Sequence, residues 1–162
     1  MGEVDIFQWL ENSALAVNIR HSHLLYPVIE IVHIFGFTVL VGSAFLFDLR
    51  LLGLSKRIPV THLARHLLPL SRLSLLLVIP SGFILFMTQA TSLSTNDVFW
   101  TKVSLILLAF LNAGFFHLFT FRDVDRWDIF QPTAAAAKVS GIISIILWVG
   151  ILSCGRFLAY LE

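Results

Sequence analysis

The segment from Leu24 to Leu52 constrains this chain more than any other feature. It is apolar throughout except for Glu30, His33, Asp48 and Arg50, and it exceeds the roughly 20 residues that cross a bilayer as a helix. Three more segments share its character, about His66–Met87, Phe99–Phe121 and Val139–Tyr160. In hydrocarbon the backbone polar groups must be paired within the segment, so each reads as a transmembrane helix. The expected fold is all-α: a four-transmembrane-helix bundle forming a single membrane domain over residues 1–162, with spans at about 24–52, 66–87, 99–121 and 139–160. Composition agrees, since only 13% of residues are charged against about 25% in soluble domains.

The connections "GLSKRIPVTH", "QATSLSTNDVFW" and "RDVDRWDIFQPTAAAAK" are short, which makes neighbouring helices antiparallel. Pro132 suits the first turn of the fourth helix, and Pro80-Ser81-Gly82 predicts a kink in the second. Trp100 and Trp127 fall near span boundaries, where indoles anchor at the interface, and Trp148 is placed to pack between helices. The opening "MGEVDIFQWLENSALAVNIRHSH" starts with acids and lacks a long apolar run, unlike a cleaved signal. It also lacks the Ser or Thr of a myristoylation site. Phe7, Leu10, Ala14 and Val17 recur at helical spacing, so residues 1–22 are expected to form a short N-terminal interfacial helix.

Orientation follows from the loop charges. The side bearing both termini carries about three basic residues (Arg20, Lys102, Arg156), and the other about seven (Arg50, Lys56, Arg57, Arg65, Arg122, Arg126, Lys138). The richer side is expected in the cytoplasm and both termini outside, in the periplasm if the membrane is a bacterial inner membrane. A net charge of +1 provides no field for nucleic acid. The single Cys154 excludes an intrachain disulfide and a cysteine-based zinc site, and reads as a small apolar residue.

The polar residues inside the spans carry the functional signal. Glu30 and Asp48 are about five helical turns, roughly 27 Å, apart on one face of a straight helix, and His33 lies near that line. Such a stripe is expected to face the bundle interior, because a charge facing lipid costs several kcal/mol. Asp48 beside Arg50 also reads as an interfacial carboxylate. By depth, Arg156 is the expected counter-ion of Glu30, and Glu30 or a backbone carbonyl the expected partner of His33. Together Glu30, Asp48 and Arg156 read as charge-pairing or proton-exchanging groups.

His66 and His117 fall at similar depth on adjacent antiparallel helices. Two imidazoles from different helices are what a b-type haem needs as axial ligands. Ala109, Ala113 and Gly114 would leave room for the macrocycle, and Arg65, Arg72 and Arg122 could pair with its propionates. His33, with His21 or His23, would be a ligand to a second haem or metal, or a quinone-site residue. "HSH" alone is a weak metal signal. "EIVH" resembles half of a di-iron motif whose other half is missing, which removes the di-iron reading. No nucleophile–base–orienter set, phosphate-binding glycine loop or aromatic-interleaved basic stripe is present.

The stretches "FQWLENSALAVNIRHS", "LYPVIEIVHIFGFTVLVGSAFLFDLRLLGL", "LARHLLPLSR", "LNAGFFH" and "LWVGILSCGRFLAY" together resemble a family of small bacterial four-helix inner-membrane proteins classed as a domain of unknown function. More distantly the layout is similar to cytochrome b561-like and copper-resistance-D-like membrane bundles, whose histidines hold haem b. The resemblance emphasises Glu30, His33, Asp48, Arg50, His117 and Arg156, and His66 stands where it implies an arginine. The expectation is a multi-pass, b-type cytochrome-like protein. It would pass electrons between quinone or quinol and a periplasmic redox partner, with haem b as cofactor and a quinone as a possible second one. The alternatives are a non-enzymatic accessory or scaffold subunit of a larger membrane complex and, third, a small channel or transporter.

Overall fold

The computed structural model describes residues 5–128 and 131–161. Among these the protein is all helical, with α1 Ile6–Glu11, α2 Ala14–His21, α3 Leu25–Leu51, α4 Val60–Thr88, α5 Ala90–Ser94, α6 Asp97–Phe115 and α7 Ala135–Leu161. After α6 the chain makes a π-helical turn at Phe116–Thr120 and a 3-10 turn at Phe121–Arg126. Four helical stretches are long and apolar enough to cross a membrane: Leu25–Leu51, Val60–Thr88, Asp97–Arg126 and Ala135–Tyr160. The protein is thus a multi-pass membrane bundle.

Packing order is set by which helices touch. α3 lies along α4, α6 along α7, and α3 against α7, whereas α4 and α6 share no extended contact. The bundle is therefore an arc, α4–α3–α7–α6, with its two ends facing each other. The inward residues of α3 are Tyr26, Ile29, His33, Gly36, Leu40, Ser43, Phe47 and Arg50, all buried or half-buried. They alternate in steps of three and four, the seven-residue repeat of helices that wrap left-handedly. α4 answers with Val60, Ala64, Leu67, Ser71, Ser74, Val78, Ser81, Leu85 and Thr88, again buried or half-buried.

Two glycines set the closest α3–α4 approach. A Cβ on Gly36 would sit 3.0 Å from Leu77 Cβ and from Val78 Cγ2, and one on Gly82 would sit 2.9 Å from His33 Cε1. Only hydrogen fits at either place. α4 runs through Pro69 and Pro80 without a break. Ser71, Ser74 and Ser81 donate their hydroxyls to the carbonyls of Leu67, Leu70 and Leu77, so these polar side chains are satisfied within their own helix. α3 ends where Gly53 adopts a φ of 103°, a conformation glycine takes without penalty.

Each end of the bundle is tied by an arginine. On the side bearing the termini, Arg20 of α2 donates to Glu11 at 3.0 Å and to the Thr88 carbonyl at 3.2 Å. Glu11 in turn accepts from the Thr91 backbone N–H at 2.8 Å. That hydrogen bond, before the Arg20 charge, holds the Glu11 carboxyl below its ordinary value. On the opposite, basic side, buried Arg50 donates through Nε to the Ile58 carbonyl at 2.6 Å and through Nη2 to the Asp128 carbonyl at 3.0 Å. The Asp128 carboxylate accepts from Thr61 N at 2.9 Å and Thr61 Oγ1 at 2.7 Å. Burial pushes the Asp128 carboxyl up, but these bonds and the Arg50 charge together bring it below its ordinary value.

Several details differ from the sequence expectations. The interfacial segment is two helices, because Ser13 caps α2 while donating to the Leu10 carbonyl; residues 1–4 of the expected segment lie outside those described. Pro132 precedes α7 rather than occupying its first turn. Trp100 is exposed near the start of α6, with Nε1 donating to Ser94 O at 2.8 Å, as an anchor requires. Trp127 is instead buried in the basic-side core with Phe47, Leu51, Val60, Phe116 and Ala137, so it cannot reach headgroups.

Candidate functional site

The concave side of the arc encloses a cavity of about 380 Å³. α3 lines it with Leu40, Ser43, Ala44, Phe47 and Asp48, and α4 with Leu68, Ser71, Arg72 and Leu75. The third span contributes Ala109, Phe110, Asn112, Ala113, Gly114 and His117, and α7 adds Ser140, Ser144 and Trp148. Most of the wall is apolar with a few polar groups converging on it, the usual makeup of a small-molecule site.

Asp48 is the decisive residue. The residue is 6% exposed, and α7 passes against it, with Gly141 packed on the Asp48 backbone. Ser144 of α7 meets the carboxylate, while Oδ2 has no hydrogen-bond partner among the described residues. The interfacial reading of Asp48 is therefore corrected: the carboxylate is turned into the bundle. An orphaned carboxylate oxygen in such a place is costly unless something donates to it.

His117 faces the same cavity from the π-helical turn. Its Nδ1 donates to the Ala113 carbonyl at 2.8 Å, which fixes the tautomer and leaves the Nε2 lone pair as the free acceptor. A π turn widens the helix by one residue and commonly marks a functional position. Below it Asn112 and Ser140 clasp α6 to α7, with Asn112 Nδ2 donating to Ser140 O at 3.0 Å and Ser140 Oγ to Asn112 Oδ1 at 3.1 Å.

His66 is placed elsewhere. It is exposed on α4, with Nδ1 donating to the His62 carbonyl at 2.9 Å. The cavity face of α4 is Leu68, Ser71, Arg72 and Leu75, and at about 100° per residue His66 points roughly 160° away from Leu68. Equal depth does not bring two side chains together when their faces oppose. His66 and His117 of one chain therefore cannot be the two axial ligands of one haem b. No group of three or more His, Cys, Asp or Glu side chains fit to hold a metal occurs among the described residues. Of the expected propionate partners, Arg72 lines the cavity, whereas Arg65 and Arg122 are exposed and do not line it.

His33 is half-buried and separate from the cavity. Its Nδ1 lies 3.0 Å from Ser81 Oγ, which donates its own hydrogen to the Leu77 carbonyl, so His33 is the donor. The expected partner Glu30 is not used; it is exposed, because the seven-residue stripe passes through Ile29 and His33 beside it. Glu30 and Arg156 form no ion pair among the described residues, and Arg156 instead lies 4.5 Å over the Tyr160 ring and donates to its hydroxyl. Phe37 stacks beside His33 at 6.5 Å and meets Trp148, a cavity residue, edge-on at 6.0 Å. Lys102, expected only as a boundary charge, is half-buried against α7, its Nζ 3.7 Å from where a Gly155 Cβ would lie. Cys154 beside it is a free, half-buried thiol.

No curated protein and no solved structure matches the chain. A family profile covers residues 6–161, and on that match the chain belongs to the Family of unknown function (DUF6644).

Proposed function

We propose that this protein is an inner-membrane component of an electron-transfer assembly whose cavity binds the ring headgroup of a quinone-class carrier. The observation that carries the reading is Asp48 on the cavity wall, one carboxylate oxygen of which is buried and unpartnered among the described residues, together with His117 and its free Nε2 on the same wall. A hydroquinone offers what these two groups lack, an O–H donor for each. On oxidation each oxygen releases a proton, and an acceptor hydrogen-bonded to it can take that proton. The electrons would pass to a redox protein outside this chain. The serine oxygens and the flat face of Trp148 suit the rest of a planar ring.

By the excess of Lys and Arg, the Asp48 end faces the cytoplasm and both termini face the periplasm. Protons would then exchange with the cytoplasmic side, because Asp48 lies near that end of α3. The mechanism does not call on haem b, since His66 and His117 of one chain lie on different faces of the bundle.

The experiment is a binding titration of a decyl-tailed benzoquinol with the purified protein in lipid nanodiscs. Asp48→Asn and His117→Gln should each weaken binding about tenfold, the scale of one lost charge-assisted hydrogen bond. His33→Gln should leave it unchanged. Absence of binding to the wild type, or equal binding by all four proteins, sinks the proposal. A second reading, a non-enzymatic scaffold subunit, draws on the polar groups already spent on holding helices together, His33 with Ser81 and Asn112 with Ser140. It predicts a stoichiometric membrane partner on purification and no quinol binding.

A further inference from the structure

The cavity's exposed wall residues all lie on one line. Arg72 on α4 and Phe110 and Ala113 on α6 are exposed, while every other cavity residue is buried or half-buried. These three stand on the two helices that end the arc, α4 and α6, which share no extended contact. The opening is therefore a lateral slot between α4 and α6. By the helical rise, Arg72 lies about 18 Å along α4 from Val60, and Ala113 about 12 Å before Phe121. Both rim helices qualify as membrane-spanning, so the slot faces acyl chains rather than water.

We propose that this slot is the entrance of the site and that it selects a ligand carrying a long apolar tail. The inference rests on the quinone reading and narrows it: the carrier arrives from within the bilayer, its ring enters past Ala113, and its tail stays in the slot. The cavity's 380 Å³ lies near the small end of ligand sites, about 300–1,000 Å³, enough for a substituted ring and too little for a polyisoprenoid chain as well. Arg72 is the specificity-determining residue at the rim. Its guanidinium has five N–H donors and no acceptor, and no ion pair or hydrogen bond engages it among the described residues. An oxygen on the ring, which in a quinol accepts as well as donates, hydrogen-bonds it, whereas an apolar molecule of the same shape leaves a cation facing hydrocarbon. The slot thus favours a tailed ring carrying an accepting oxygen over a tailed hydrocarbon of the same shape.

Two probes test this in nanodiscs, a benzoquinol with a decyl tail and the same ring without it. Ala113→Phe narrows the slot, Phe110→Ala widens it, and Gly42→Phe adds the same bulk on open surface of α3, where nothing lies within 4 Å of the glycine. Ala113→Phe should weaken the tailed probe at least tenfold and the tailless one less than threefold. Phe110→Ala should raise the release rate of the tailed probe several-fold, and Gly42→Phe should change neither. Arg72→Leu should weaken both quinols without weakening a decylbenzene control. Equal effects of Ala113→Phe and Gly42→Phe, or no change in either slot variant, overturn the portal. If the wild type binds neither probe, the quinone reading itself has failed and the portal with it. If Ala113→Phe does not fold, the Phe110→Ala release rate decides alone.

Discussion

Gly36 and Gly42 lie on the same helix and allow one physical term to be isolated. Replacing either by alanine brings the same change in intrinsic helix preference, up to about 1 kcal/mol in favour of alanine. They differ in what the new methyl meets: at Gly36 it falls 3.0 Å from Leu77 Cβ and Val78 Cγ2 and 3.4 Å from the Ser74 carbonyl, and at Gly42 nothing lies within 4 Å. Leu77 Cβ cannot swing away, being fixed to the α4 backbone, so α3 and α4 must separate. Overpacking of this kind costs about 1–3 kcal/mol. Because the propensity term cancels, Gly36→Ala should be less stable than Gly42→Ala by that amount. The assay is reversible unfolding in mixed detergent and SDS micelles, followed by helical circular dichroism. A Gly36→Ala protein as stable as Gly42→Ala, or more so, would refute the close α3–α4 contact on which the His33–Ser81 hydrogen bond depends.

The remaining expectations concern the clasps and the displaced histidine. Arg50→Lys removes the planar fork that reaches two carbonyls at once, and at about 1.5–3 kcal/mol per hydrogen bond to a charged group it should lower stability by about 2 kcal/mol in the same unfolding assay. Glu11 has a folded value depressed below its unfolded one, so its contribution is complete above the usual carboxylate range and is lost as the pH falls through the depressed value. The protection factor of the Thr91 amide, its rate taken relative to an unstructured amide at the same pH, should therefore fall at acidic pH in the wild type and be low at every pH in Glu11→Ala; a Thr91 amide protected equally in both proteins contradicts the clasp. His66→Gln should leave quinol binding and stability within a few tenths of a kcal/mol of wild type, and a large loss of binding would return His66 to the site.

Hydropathy was enough to read four spans, their antiparallel order and the interfacial start, since lipid leaves the backbone few options. The polar interior was harder, and the residues show why. A straight helix of 3.6 residues per turn puts Glu30 and Asp48 on one face, but the inward residues of α3 repeat every seven, so over five turns the stripe moves past Glu30. Asp48 is buried for a reason located on another helix, the passage of α7 against it at Gly141. Matching depth suggested the His66–His117 pair, yet depth fixes only the height of a residue; the rotation of α4 about its axis, set by the Gly36 and Gly82 contacts, turned His66 outward. The Arg50–Asp128 clasp joins the end of α3 to a loop 78 positions further on, which no local pattern can announce. Lys102 was legible in part: a lysine inside a span with glycine on the facing helix is a recognisable signal.

The most direct measurement of the central claim is photolabelling of the protein in nanodiscs with an azido-substituted, tailed benzoquinol, followed by peptide mass spectrometry. Labels are predicted on the peptides holding Ser43–Asp48, Asn112–His117 and Ser140–Trp148, and they should be displaced by excess unlabelled quinol and much reduced in Asp48→Asn. Labelling spread over the lipid-facing surface, undiminished by competitor, would contradict a quinone site in this cavity.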